Sequence, residues 1–237
     1  LEATRYYNRL AQRVTAALSV PTAAGALYEV DTRLRPSGAK GLLAVTIDSF
    51  AEYQRSGAWT WEHMALTRAR PVFGSPAARA QVQAVIDETL RRPRDFAQLL
   101  KDVVTMRTDM ARHKPAAGLL DAKLIGGGLV DLEFCVHAAQ LQYAEGLEPG
   151  LAPAIAQLVS AGRLPPEFGP AYAILARLLV TLRLVAPDAR EPSPPTRALI
   201  ARACGLESWD ALLEAYAAAR QSVRIYWDGL VARSEEN

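Results

Sequence analysis

The chain has 237 residues, enough for one large domain or two small ones, with half its residues hydrophobic and 22% charged. That balance excludes a disordered chain, and a net charge of +2 argues against bulk electrostatic binding to nucleic acid. Two cysteines, Cys135 and Cys204, lie far apart in apolar helical contexts and read as buried thiols of a reducing, cytoplasmic compartment.

No N-terminal stretch has the order of a signal peptide. The most apolar run, Ala171 to Ala186, is interrupted by Arg177 and Arg183, so it reads as a core helix and not a membrane span. The chain begins inside a helix pattern without Met, which reads as a fragment of a longer polypeptide.

Residues 2–18 carry Tyr6, Leu10, Val14 and Leu18 at intervals of four, an amphipathic helix. Leu27 to Asp31 then reads as a short strand ending on a carboxylate. Arg33 and Arg35 follow at alternate positions, and Pro36-Ser37-Gly38 turns the chain into a second strand, Gly41 to Thr46. Thr46 or Asp48 caps a helix from Ser49 to about Arg55, which Ser56-Gly57 ends. Trp59 to Arg70 reads as a helix with Trp61 in the core and Glu62 solvated. The Gly74-Ser75-Pro76 cluster marks a domain boundary.

Beyond it the pattern is helical: 80–90, 95–113, 129–143, 151–160, 170–185, 196–204 and 208–232, with Ser208 a ready N-cap. In the helix 129–143, Leu132, Cys135, Val136, Ala139 and Tyr143 are expected on one face. The coarse organisation is a small α+β piece followed by a helical bundle.

Two stretches carry candidate chemistry. Asp31 at a strand end, with Arg33 and Arg35 beside it and a Gly-rich turn after it, is a site type that holds metal and phosphate. A structural ion pair of Asp31 with Arg33 or Arg35 is the alternative reading. The second stretch is Lys123 to Phe134, where Gly126-Gly127-Gly128 precede a helix. Free backbone N–H groups at its positive end, with Lys123 nearby, would suit an anion. The alternative is a tight entry turn in which Asp131 and Glu133 stabilise the first helical turn. The P-loop ending is absent, and His137 on the same helix reads as a packed or hydrogen-bonded side chain.

Taken together, YEVDTRLRPSGAKGLL, FAEYQRSGAWTWEHMALTRARPVFG, VVTMRTDM and GGGLVDLEF resemble the bacterial bifunctional glutamine synthetase adenylyltransferase/adenylyl-removing enzyme. The resemblance is specific from about Leu1 to about Tyr143. It looks more like the C-terminal, adenylyl-transferring unit. It implies a mostly helical α+β chain: the C-terminal remainder of a DNA-polymerase-beta-like nucleotidyltransferase domain over 1–74, then a helical bundle domain over 75–237.

The resemblance also implies ATP and Mg2+ as cofactors and transfer of AMP to a tyrosine of glutamine synthetase, with regulation by glutamine and the PII signalling protein. By position Asp31 matches a catalytic, metal-binding carboxylate. The Gly-Gly-Ser-Asp-x-Asp motif that holds the family's other two is absent from this chain, so the isolated chain is expected to be inactive. Arg33, Arg35, Lys40 and Lys123 are the candidate cofactor-binding residues. His137 stands where the family more usually has Gln. No nucleic-acid or membrane partner is expected. Three rival readings stand beside this one: a non-catalytic helical module that binds PII or glutamine synthetase, the adenylyl-removing unit, and a uridylyltransferase-like enzyme. The WTWEH and GGGLVDLEF stretches argue against the last.

Overall fold

A computed structural model describes residues 2–26, 28–187 and 191–236. Among them lie ten α-helices: α1 Glu2–Ser19, α2 Ile47–Ser56, α3 Thr60–Leu66, α4 Pro76–Arg91, α5 Phe96–His113, α6 Leu129–Tyr143, α7 Leu151–Ser160, α8 Phe168–Val185, α9 Pro194–Ala203 and α10 Trp209–Glu235. The chain forms two compact units, Leu1–Leu66 with Arg70–Thr89 and Thr67–Ala69 with Leu90–Asn237. Residues 75–89 thus group with the first unit, beyond the Gly74-Ser75-Pro76 cluster.

In the first unit the two expected strands do not form. Among the described residues there is no strand, only an isolated bridge between Thr22 and Gly25; Leu27 lies outside the described residues. Two strands without further partners are marginal, and here other groups take their backbone hydrogen bonds. The Asn8 side chain on α1 accepts from Leu43 N (2.8 Å) and Ala44 N (3.2 Å) and donates to Ala44 O (3.0 Å). One side-chain amide therefore does for residues 43–44 what a neighbouring strand would do. α1 has the expected amphipathic pattern, yet none of its described residues is buried, and Tyr6 and Val14 stay exposed.

Thr46 caps α2, accepting from Ser49 N at 3.1 Å. α3 is shorter than its sequence pattern, and its two expected environments are exchanged. Glu62 is buried, whereas Trp61 is exposed. Glu62 sits three residues past Trp59 and accepts that residue's N–H at 2.9 Å, one half of a capping box. Tyr53 on α2 also donates to both its oxygens at 3.0 Å. A carboxylate with these donors is satisfied inside, where an unpaired one would not be.

The second unit is a helical bundle around one core that includes Leu100, Leu132, Leu158, Phe168, Leu175, Leu178, Ile200, Leu212 and Val223. α10 packs on α8, α5, α6 and α9, and α6 also meets α5, α7 and α8. Surrounded in this way, α6 is buried on every side, from Leu129 to Leu141 with Glu133 the partly exposed exception. The expected single apolar face is therefore too narrow a description. A helix without a polar face belongs in the middle of a bundle, and Tyr143, assigned to the buried face, is instead partly exposed.

α8 is the one described helix long and apolar enough to cross a membrane by length and composition. Its stripe Phe168, Ala171, Leu175, Leu178 and Leu182 is buried in the bundle core. Both cysteines are buried free thiols, and burial pushes each thiol up from its ordinary value.

Candidate functional site

The loop 28–41 brings Asp31, Arg33, Arg35 and Lys40 onto one short stretch of the first unit. Asp31 accepts from Arg33 Nε at 3.0 Å and Arg33 Nη2 at 2.6 Å, and from the Arg33 backbone N–H at 2.9 Å. The Arg33 guanidinium first, and then that N–H, hold the Asp31 carboxyl down to about 2. Both side chains are exposed, at 58% and 82%, so this is the ion pair of the alternative reading, made in the open.

Arg35 has a different occupation. It donates to Thr32 O, to Thr32 Oγ1 (2.9 Å), to Gly41 O (3.2 Å) and to Ala39 O (3.2 Å). These bonds close the loop on itself across the turn. A Cβ at Gly41 would lie 1.8 Å from Pro36 O, so the loop shuts only on glycine. Lys40 ends a single 3₁₀ turn, Gly38–Lys40, and is exposed.

A two-metal site needs several carboxylates converging on the ions. Among the described residues no group of three or more His, Cys, Asp or Glu side chains could hold a metal. The described residues therefore do not by themselves fit a magnesium pair.

Lys123 lies in the other compact unit, ahead of the glycine turn. That turn follows the tight-entry reading. Asp131, in the first turn of α6, accepts the Gly127 N–H at 2.6 Å and Arg107 Nε at 2.5 Å. The positive end of α6 is thus occupied by the chain's own carboxylate. Gly127 has φ +74°, and a Cβ there would come within 2.2 Å of Arg220 O on α10. The glycine lets two backbones approach; it does not cradle an anion. Gly127→Ala is expected to cost at least about 2 kcal/mol in urea unfolding, from strain and displaced packing together.

Sequence reasoning missed Arg107. It is buried, and its pair with Asp131 is buried on both sides. A signal existed: Leu99, Leu100, Val103 and Arg107 share one helical stripe, so the arginine falls in the apolar register. His137 is packed and hydrogen-bonded, as read. Its Nδ1 lies 2.9 Å from Gln140 Oε1 and 2.9 Å from Thr67 Oγ1. Gln140 Nε2 donates to Gly146 O, which leaves Oε1 as the acceptor and puts the proton of His137 on Nδ1. Among the described residues Nε2 then finds no hydrogen-bond partner and is a buried lone pair.

Comparison with known proteins agrees with this division of the chain. Residues 1–85 match the family model described as glutamate-ammonia ligase adenylyltransferase, and residues 96–230 match the one described as GlnD PII-uridylyltransferase. Curated relatives include the bifunctional glutamine synthetase adenylyltransferase/adenylyl-removing enzyme of Brucella melitensis, 53% identical over 141 residues, 60% of this chain. That of Mesorhizobium japonicum is 47% identical over 173 residues, 73% of this chain. The chain belongs to the bifunctional glutamine synthetase adenylyltransferase/adenylyl-removing enzyme family, with a helical unit of the GlnD PII-uridylyltransferase family. The matched stretch covers only 14% and 17% of the lengths of these two relatives. The match over 96–230 also carries recognisable sequence well past Tyr143, the expected end of the specific resemblance.

Proposed function

We propose that this chain is part of an enzyme that transfers AMP from ATP to a tyrosine of glutamine synthetase, and that it comes from the C-terminal, adenylyl-transferring unit. The observation that carries the reading is the adenylyltransferase match over residues 1–85, the stretch that contains the Asp31 loop. In the proposed reaction the tyrosine oxygen attacks the α-phosphorus of ATP. A new P–O bond forms there, the bond to the β-phosphate oxygen breaks, pyrophosphate leaves, and the tyrosine proton passes to solvent or a base.

In this reading residues 1–74 complete a DNA-polymerase-beta-like nucleotidyltransferase domain, and the helical bundle follows it. Asp31 is the one metal-binding carboxylate that this chain supplies, shared with carboxylates from elsewhere in the longer polypeptide. Its pair with Arg33 has to open for that role. Both partners are exposed and water screens the pair, so opening is cheap. Arg33 is then free for phosphate, with Lys40 on the same loop. Arg35 has to keep the loop closed. Glutamine and PII as regulators, Mg2+ as cofactor and a cytoplasmic location belong to the same proposal.

The test is AMP transfer from labelled ATP to glutamine synthetase. The full-length polypeptide is expected to label its target, Asp31→Asn in it to lose at least a hundredfold, and the 237-residue chain alone to give no label. Full activity of Asp31→Asn would overturn the role of Asp31, and labelling by the isolated chain would overturn its dependence on outside carboxylates. The relatives' names also include adenylyl removal, which favours a second reading as the opposite unit. Phosphate-dependent release of ADP from adenylylated glutamine synthetase, lost in Asp31→Asn while AMP transfer persists, would establish it.

A further inference from the structure

The helical unit contains a cavity of about 360 Å³ that the adenylyl-transfer reading does not use. It lies between the last turn of α5, the loop 117–124 and the last turns of α8. Its apolar wall is made by Met110, Leu120, Leu124, Leu179 and Leu182, and Lys114, Lys123 and Arg183 line it as well. A volume of this size holds a small molecule of metabolite dimensions.

The electrostatics select the sign of that molecule. Among the described residues Asp121 is the single carboxylate on the lining, and it is committed to the loop. Its Oδ2 accepts from Ala117 N (3.1 Å), and its Oδ1 from Lys123 N (3.3 Å) and Leu124 N (3.0 Å). Three cations therefore face one carboxylate already engaged with three N–H groups. Lys114 and Arg183 also offset the negative ends of α5 and α8, which is their structural duty. Lys123 stands at no helix C-terminus. Its charge reaches Glu133, where it and Arg68 partly offset the upward push of burial.

We infer that this cavity binds a small amphiphilic anion, a carboxylate or phosphate monoester whose apolar body lies on the leucine wall and whose head meets Lys123 and Arg183. The lining joins an apolar wall to a cationic rim, and neither half alone accounts for the other. A purely polar anion would leave the wall in water, and an apolar cation would meet three like charges. The inference is independent of the adenylyl-transfer reading, because no residue of the Asp31 loop takes part.

The experiment is a ¹H–¹⁵N NMR titration of the 237-residue chain with hexanoate, hexyl phosphate, hexylamine and inorganic phosphate. Saturable shifts with hexanoate or hexyl phosphate are expected at amides 119–124 and 179–186, the tighter binder assigning the head group. Hexylamine and inorganic phosphate are expected to leave those amides in place. Lys123→Gln with Arg183→Gln should weaken the best binder at least tenfold with the remaining spectrum superimposable. Leu179→Trp, which fills the cavity and keeps every charge, should abolish binding. Equal binding of hexylamine, unchanged affinity in the double variant, or shifts outside the two segments would each overturn the assignment.

Discussion

Replacing Arg107 by alanine is expected to destabilise the helical unit by about 3–5 kcal/mol, the usual cost of leaving one charge of a buried pair without its partner. The consequence is specific to this geometry. Asp131 would keep the Gly127 N–H at 2.6 Å but lose the guanidinium at 2.5 Å. A carboxylate would then stand nearly enclosed with a single donor. The same arginine donates to Leu124 O at 3.4 Å, so the loop before the glycine turn loosens as well. Urea unfolding followed by circular dichroism measures the total. Hydrogen exchange at Gly127 and along the start of α6 localises it. Arg107→Lys is expected to recover only part of the loss, since an ammonium lacks the planar fork that reaches both Asp131 and Leu124. A change below about 1 kcal/mol in Arg107→Ala would mean that water replaces the guanidinium and that the pair is not what fixes the turn.

The helices from α5 to α10 were legible because their signals are local. Ser208 caps as the sequence indicates, accepting from Ala211 N at 3.1 Å, and Asp95, expected as the first helical residue, caps α5 by accepting from Gln98 N at 2.9 Å. Apolar spacing, Gly128 and the prolines then fix most ends within a few residues. What failed depended on partners far along the chain. The apolar run 42–45 signals a strand, but strand formation needs a neighbour's backbone, and Asn8, thirty-five residues earlier, satisfies Leu43 instead.

Side-chain placement failed for a related reason. Trp61 looks like core and Glu62 like surface by residue type alone. Tyr53 and the Trp59 N–H reverse that by offering the carboxylate two donors inside, the Tyr53 proton shared between both oxygens. At the candidate site, the residue types of the Asp31 loop were legible but their pairing was not. Arg33 and Arg35 alternate in sequence, yet one takes the carboxylate and the other only carbonyl and hydroxyl oxygens of its own loop. The Lys123 cavity was invisible for the same reason: its cations come from the C-cap of α5, the loop that follows it and α8, which only the packed bundle brings together.

The other large effect expected is a pH dependence of stability centred on His137. Burial, helped by the Arg68 charge and opposed by the hydrogen bond to Gln140, lowers this imidazole from its ordinary 6.5 to about 4. Above pH 6.5 the ring is neutral whether the chain is folded or not, and the network Thr67–His137–Gln140–Gly146 contributes in full. As pH falls from 6.5 to 4 the unfolded chain takes up a proton that the folded chain refuses. Stability therefore drops through that window, by an amount on the order of 3 kcal/mol, and levels off below it. His137→Gln should remove this slope, because Gln keeps a donor for Gln140 and has no proton to gain. The measurement is urea unfolding of both proteins at pH 4, 5, 6 and 7. Subtracting the two curves cancels the carboxylates, which titrate alike in each. A difference that grows in favour of the wild type from pH 4 to pH 6.5 and is then flat is the expected result. Parallel curves would show that the imidazole is protonated in the folded chain at ordinary cost. That would require its unpartnered Nε2 to find a proton acceptor that the packed bundle does not offer.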